Sequence, residues 1–244
     1  MTMQRELAKL TWKRVKELVP YEIDTIILPV GTLEAHGAAA LGTDNYIPES
    51  IAEHLADKIN ALIAPTVNYG ITRSLYGYPG SMTISPESFE NYIEDILDSL
   101  ADNDFEQVII INGHGGNNDV LKSVAESFFR DTEVKIAVIH WWQLCDIVTR
   151  EAYGQDGGHA GINETAMVLA RDESLVDQSV YDKDMAYTYD PGADVFPIPG
   201  SIILYSKDEG YPDFNQEKAK EFQKAVFTKV EEYVINVLKQ WAKI

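Results

Sequence analysis

The stretch Glu106–Asn117, EQVIIINGHGGN, sets an unbroken apolar run against a glycine-rich turn that carries one histidine. The run Val108–Ile111 has no polar alternation, so it reads as a strand covered on both faces. The glycines after it mark a turn, and Asn118–Asp131 (NDVLKSVAESFFRD) has the apolar spacing of a helix. A buried strand, a turn and a helix make the unit of a parallel α/β sheet. Ligands of such sheets bind beyond the carboxyl ends of the strands, which is where His114 falls.

The same alternation extends both ways along the chain. DTIILPVG (Asp24–Gly31), ALIAPTVNYG (Ala61–Gly70) and VKIAVIHWWQL (Val134–Leu144) read as further strands. Helices are predicted near IPESIAEHLADKIN (Ile47–Asn60), over Ser85–Asp104 with its Ser-Pro-Glu start, over Ile162–Ser174, and over the long C-terminal stretch Asp213–Ile244. The fold class that follows is α/β, a mainly parallel sheet with helices on both faces. No linker, repeat or low-complexity tract divides residues 1–244, which read as a single domain. Tyr181–Phe214, rich in Asp, Tyr, Pro and Gly, is expected to form long loops around one short strand, and a loop of that length in a compact domain is usually functional or an interface.

The 244 residues are 45% apolar, enough for a sizeable core. Lys and Arg total 20 against 39 Asp and Glu, a formal charge of −19, so nucleic acid is not an expected partner. One cysteine, Cys145, excludes an intramolecular disulfide and a cysteine-rich zinc site. The N-terminal twenty residues read as a charged amphipathic helix without the apolar core of a signal peptide. No apolar run approaches the roughly 20 residues that span a bilayer. A cytoplasmic protein without membrane contact is the expectation.

Chemistry-bearing residues recur at the same expected edge of the sheet. Glu34 and His36 follow the first strand at a spacing of two, so an extended backbone puts both on one face. Asp44 follows just before a helix, His114 ends another strand, and His159 and Glu164 lie in the glycine-rich DGGHAGINETA. Imidazole and carboxylate without thiolate suit a divalent cation, and five or six such groups can hold two ions that share a carboxylate.

The segments LPVGTLEAHGAAALGTDN, INGHGGNN and DGGHAGINETAMVLA together resemble the creatininase (creatinine amidohydrolase) family, in order and spacing from about Asp24 to about Gly210. The resemblance implies a three-layer α/β/α sandwich, a two-metal site, hydrolysis of C–N bonds in cyclic or linear amides, and a homo-oligomer, commonly a hexamer. It implies Glu34, His36, Asp44 and His114 as metal ligands, with Asp44 bridging. Creatininase takes a further ligand from a Glu two residues after the His of its NGH motif, but that position here is Gly116. Members with NGHGGN resemble this chain in offering the Glu of HAGxxET instead, which is Glu164. His159 resembles the family's catalytic histidine, and Glu164 is counted with it as catalytic as well as metal-binding.

Departures from the family pattern fall on the pocket wall. Of the two tryptophans that close over substrate in creatininase, one resembles Trp142 and the other aligns with Gln155. Ser74 and Leu75 stand where Glu and His are usual. Trp142, Gln155 and Tyr78 are the expected substrate-binding residues, and creatinine itself is not the expected substrate. The reading is a metal-dependent amidohydrolase acting on a small cyclic amide, a formamide or a related amide, with two divalent ions, zinc ahead of manganese or iron. Two rivals stand beside it. One is a catalytically degenerate metal- or partner-binding member of the fold, and the other a hydrolase that trims a small peptide. His54 reads as a surface residue, His140 as pocket or core, and Cys145 as a small buried apolar residue.

Overall fold

A computed structural model describes residues 3–244. Four strands form the central sheet: β1 (Thr25–Val30), β2 (Ala61–Ile63), β3 (Gln107–Asn112) and β4 (Lys135–His140). Their spatial order is β2-β1-β3-β4, and every pairing is parallel. The apolar runs are continuous because alternate residues feed two different cores. Ile27, Ile109, Ile111 and Ile139 pack into a cluster with α2 (Thr43–Leu55), α7 (Ile162–Arg171) and α8 (Gln216–Trp241). Ile26, Leu28, Val108 and Ile110 pack into another with α1 (Trp12–Leu18), α3 (Pro86–Asp102) and α4 (Asn118–Thr132). These are the three layers of an α/β/α sandwich.

Local chemistry explains several of the boundaries. Pro29 sits inside β1 without breaking it, since β2 pairs with β1 only as far as Ile27. The Pro29 carbonyl accepts from Val67 N–H at 3.0 Å, so the missing donor faces beyond the end of β2. α3 starts where Ser85 accepts from Ser88 N–H, with Pro86 in its first turn. α8, 26 residues long, starts where Asn215 accepts from Lys218 N–H. Its buried face includes Phe222, whose truncation to Ala would cost about 3–5 kcal/mol.

Five sequence expectations change, the first being the strand expected over Ala61–Gly70, of which only β2, Ala61–Ile63, forms. The N-terminal stretch is not one helix: a 3-10 turn at Leu7–Lys9 precedes the short α1, and Met1 and Thr2 lie outside the described residues. The strand expected to run through HWWQL ends at His140, and Trp141–Leu144 is a helical turn, α5, followed by α6 (Asp146–Tyr153), which no pattern had indicated. α2 begins at Thr43, four residues before the expected Ile47, so Asp44 lies in its first turn. The segment Tyr181–Phe214 holds two strands rather than one, β6 (Ala186–Thr188) and β7 (Ile202–Leu204). With β5 (Gly158–His159) they form a second sheet in the order β5-β7-β6. No helix among the described residues is long and apolar enough to cross a membrane.

Candidate metal centre

The carboxyl ends of β1 and β3 carry glycines because the first turn of α2 lies against them. A Cβ on Gly31 would fall 2.2 Å from the Asp44 carbonyl oxygen, and one on Gly113 would fall 2.1 Å from it. Those two missing side chains let α2 approach closely enough to place the Asp44 carboxylate between the strand ends. Glu34 and His36 arrive from the turn after β1, and His114 from the turn after β3. His159 ends β5, and Glu164 lies in the first turn of α7. Between those two, Ala160 adopts a left-handed φ of 51°, held by its N–H donating to Glu164 Oε2 at 2.6 Å and by Thr165 Oγ1 donating to its carbonyl. That bend turns His159 and Glu164 toward the same point.

The geometry centres on Asp44. Its Oδ1 lies 2.9 Å from His36 Nε2, and its Oδ2 lies 2.9 Å from His114 Nδ1. Glu34 Oε1 is 3.2 Å from the same His114 nitrogen, and Glu164 Oε2 is 3.6 Å from His36 Nε2. Two trios result, Glu34–Asp44–His114 and His36–Asp44–Glu164, each with donor atoms within 4.8 Å of one another. His159 closes a third group with Glu34 and His36, its Nδ1 3.4 Å from Glu34 Oε1. Each histidine uses its other nitrogen to donate to a backbone carbonyl: His36 to Glu34, His114 to Ile71, and His159 to Ala35. The rings are therefore fixed with one nitrogen aimed at the carboxylates.

Three buried carboxylates in one place need compensating charge. Among the described residues no Lys or Arg pairs with them. Burial opposes charge on His36, but Asp44 beside it, then Glu164 and Glu34, raise its pKa to about 10. His114 is likewise raised well above the ordinary imidazole value: burial opposes the charge, and Glu34 and Asp44 overcome it. For Asp44, burial is outweighed by the two histidines, and its pKa falls below the usual carboxylate range. Burial pushes Glu164 up to about 8 despite the neighbouring His36. Burial and then the charge of His36 lower His159 to about 4. Protons on imidazoles thus balance carboxylates that could equally be balanced by cations. A buried His/Glu/Asp set with one carboxylate shared between two trios fits a pair of divalent ions.

The centre forms the floor of a cavity of about 550 Å³. Trp142 lines it, while Trp141 is fully buried in the core. The other two residues expected to bind substrate lie elsewhere. Gln155 Oε1 accepts from Gly210 N–H at 2.9 Å, and the side chain borders a separate depression with Tyr211 and Phe214. Tyr78 packs behind Leu75 and Ile203, with its hydroxyl donating to the Ile198 carbonyl at 2.9 Å. His54 pairs with Glu231 between α2 and α8, and His140 accepts from Asn112 Nδ2.

The cavity also takes in residues the sequence had not singled out, notably Gln143, Arg150, Asp156, Asn163 and Tyr205. Tyr205 extends β7 past Leu204, and its ring packs edge-on against Tyr189. The residue is 60% exposed and lines the cavity. Desolvation, then the charges of Glu164 and Glu34, push its phenol up to about 12, so it stays a donor. The pairing of β5 with β7, Gly158 with Leu204 and His159 with Ile203, brings Tyr205 here, and no local pattern signals that pairing.

Comparison with known proteins agrees with this fold. The family model described as creatininase, creatinine amidohydrolase, matches residues 8–233, a wider span than the motifs alone cover. The creatinine amidohydrolase of Pseudomonas putida is 27% identical over 212 residues, covering 79% of this chain and 81% of that protein. A 3-dehydro-scyllo-inosose hydrolase of Thermotoga maritima is 32% identical over 172 residues, 66% of this chain and 54% of its own length. Among solved structures, a mutant creatininase described as the Zn-Zn type superposes with a TM-score of 0.81 at 23% identity, covering 96% of this chain and 98% of that one.

Proposed function

The chain belongs to the creatininase family, and from that premise we propose that it hydrolyses a C–N bond in a small cyclic amide, a formamide or a related amide. Two divalent cations, zinc ahead of manganese or iron, are held by Glu34, His36, Asp44, His114 and Glu164. The observation that carries this reading is the placement of Asp44, with one oxygen toward each of two histidines on the floor of a cavity. Cations in such a pair supply an activated water and polarise a carbonyl.

The protein's own groups do the rest. Asp44 bridges the two trios. His159 commits its Nε2–H to the Ala35 carbonyl, so Nδ1 is the atom that takes up a proton or passes one to the leaving nitrogen. Glu164 lies within 4.0 Å of both His36 and His159, in reach of binding and of proton transfer. Trp142 offers the substrate a flat apolar face, and the Tyr205 hydroxyl offers a hydrogen bond. We read residues 1–244 as one domain, since both apolar clusters share the central sheet. A cytoplasmic location and a hexameric assembly go with this reading. Exposed Tyr76 and Phe196, on segments that flank the cavity, support an interface there, and sedimentation of the purified protein tests it.

The first experiment is elemental analysis of purified protein beside Glu164→Ala, followed by a panel of lactams, formamides and short peptides. About two ions per chain, fewer in the variant, and turnover of a lactam or formamide are expected. Protein that holds no metal after refilling with zinc or manganese overturns the reading.

A further inference from the structure

We propose that Asn117 is a positioning residue for one half of the centre, holding the Ile71 segment so that the Ile71 carbonyl takes the Nε2–H of His114 and leaves Nδ1 facing Glu34 and Asp44. The inference rests on the two-cation reading and concerns how one of the two trios is built.

Asn117 is fully buried, and its amide is used at both ends. Oδ1 accepts from Ile71 N–H at 3.0 Å, while Nδ2 donates to the Gly31 carbonyl at 3.1 Å and to Asn112 Oδ1 at 3.4 Å. One side chain therefore ties together the end of β1, the end of β3 and the Ile71 segment. The amide cannot be turned over without setting its NH₂ against the Ile71 N–H and its oxygen against the Gly31 carbonyl. Ile71 is in turn held twice, its N–H by Asn117 and its carbonyl by His114 Nε2 at 3.0 Å. That second bond selects which imidazole nitrogen is free to bind, and partners of this kind set the orientation of a ligand histidine.

Gly116 serves the same bond. A Cβ there would lie 2.1 Å from the Ile71 carbonyl oxygen and 2.6 Å from His114 Nε2. Any side chain at 116 and the present His114–Ile71 bond exclude each other. In this chain the position that resembles a ligand site in creatininase is instead kept empty so that His114 can be oriented.

The other trio does not depend on this device. His36 is oriented by the Glu34 carbonyl two residues away, at 2.9 Å. Removal of Asn117 should therefore weaken one site and spare the other, whereas a residue that merely supports the fold would weaken both together or neither.

The test measures zinc affinity by competition with a chromophoric chelator, on zinc-refilled wild type, Asn117→Ala, Asn117→Asp and Gly116→Ala, with thermal unfolding alongside. Each variant is expected to keep one zinc at wild-type affinity and bind the other about 10–100-fold more weakly. Combining Asn117→Ala with Glu164→Ala should leave no tightly held zinc. Two zincs at wild-type affinity in a folded variant, or equal weakening of both, overturns the proposal. Should Asn117→Ala fail to fold, Asn117→Asp decides the matter, because it alters the same ties through a side chain of nearly the same shape, setting an oxygen against the Gly31 carbonyl. Wild-type protein that never holds a second zinc sinks the two-cation reading itself, an outcome separate from unchanged variants of a two-zinc protein.

Discussion

The four-stranded and three-stranded sheets meet at one cavity and bring different things to it. The central sheet ends in residues that are almost wholly buried: Glu34, His36, Asp44 and His114 are each at most 8% exposed. Its two central strands, β1 and β3, are six residues long and buried almost throughout, so side chains at their ends inherit a rigid base. The second sheet has strands of two or three residues joined by long, largely exposed segments, and it contributes His159, Ile203 and Tyr205. Cation-binding groups need their donor atoms fixed closely, whereas recognition can sit on segments that vary around a fixed scaffold.

Three experiments would break or sharpen that division. The largest effect is expected at Asp44. Asp44→Asn removes the carboxylate common to both trios, so both cations should be lost and turnover should drop by roughly a thousandfold or more, the scale on which a principal electrostatic contributor is missed. Retention of both ions in that variant would mean that the ends of the central sheet do not define the centre.

The next effect is a pH dependence. With pKa values of about 8 for Glu164 and about 10 for His36, both groups carry protons at neutral pH that a bound cation must displace. Zinc affinity should therefore rise with pH, by about tenfold per pH unit for each proton displaced, less steeply above about 8 where Glu164 has lost its proton, and on up to about 10 where His36 loses its own. Calorimetry of zinc uptake at pH 7 in buffers of different ionisation enthalpy should show proton release, with less of it in Glu164→Gln. Uptake without proton release would contradict the electrostatic account of the site.

The smallest effect is expected on the second sheet. Tyr205→Phe should leave zinc content unchanged and raise KM by about two- to tenfold for substrates with an acceptor in reach, as befits one hydrogen bond. A loss of zinc in that variant would show that the two sheets are not separable in function.

Legibility in the sequence follows the same division. β1, β3 and β4 could be read because their apolar runs are unbroken, β1 and β3 being buried almost throughout. β6 and β7 could not, since three-residue strands carry no period, and they exist through pairing with β5. Trp141–Leu144 misled because aromatic residues favour strands locally, whereas burial of Trp141 beneath a helical turn decides its conformation. Asp44 read as a residue just before its helix. α2 starts four residues earlier, with Asp44 inside it, and its first turn lies against Gly31 and Gly113.

By itself the sequence determined the α/β layering and which side chains have the chemistry for a metal centre, because apolar periodicity and residue type are local properties of the chain. Tertiary structure alone decided the rest. The sharing of Asp44 between two histidines, the orientation of His114 through Ile71 and Asn117, and the arrival of Tyr205 at the cavity join residues far apart in the chain. Spacing in sequence does not encode distances that arise only when separate strands and turns pack together.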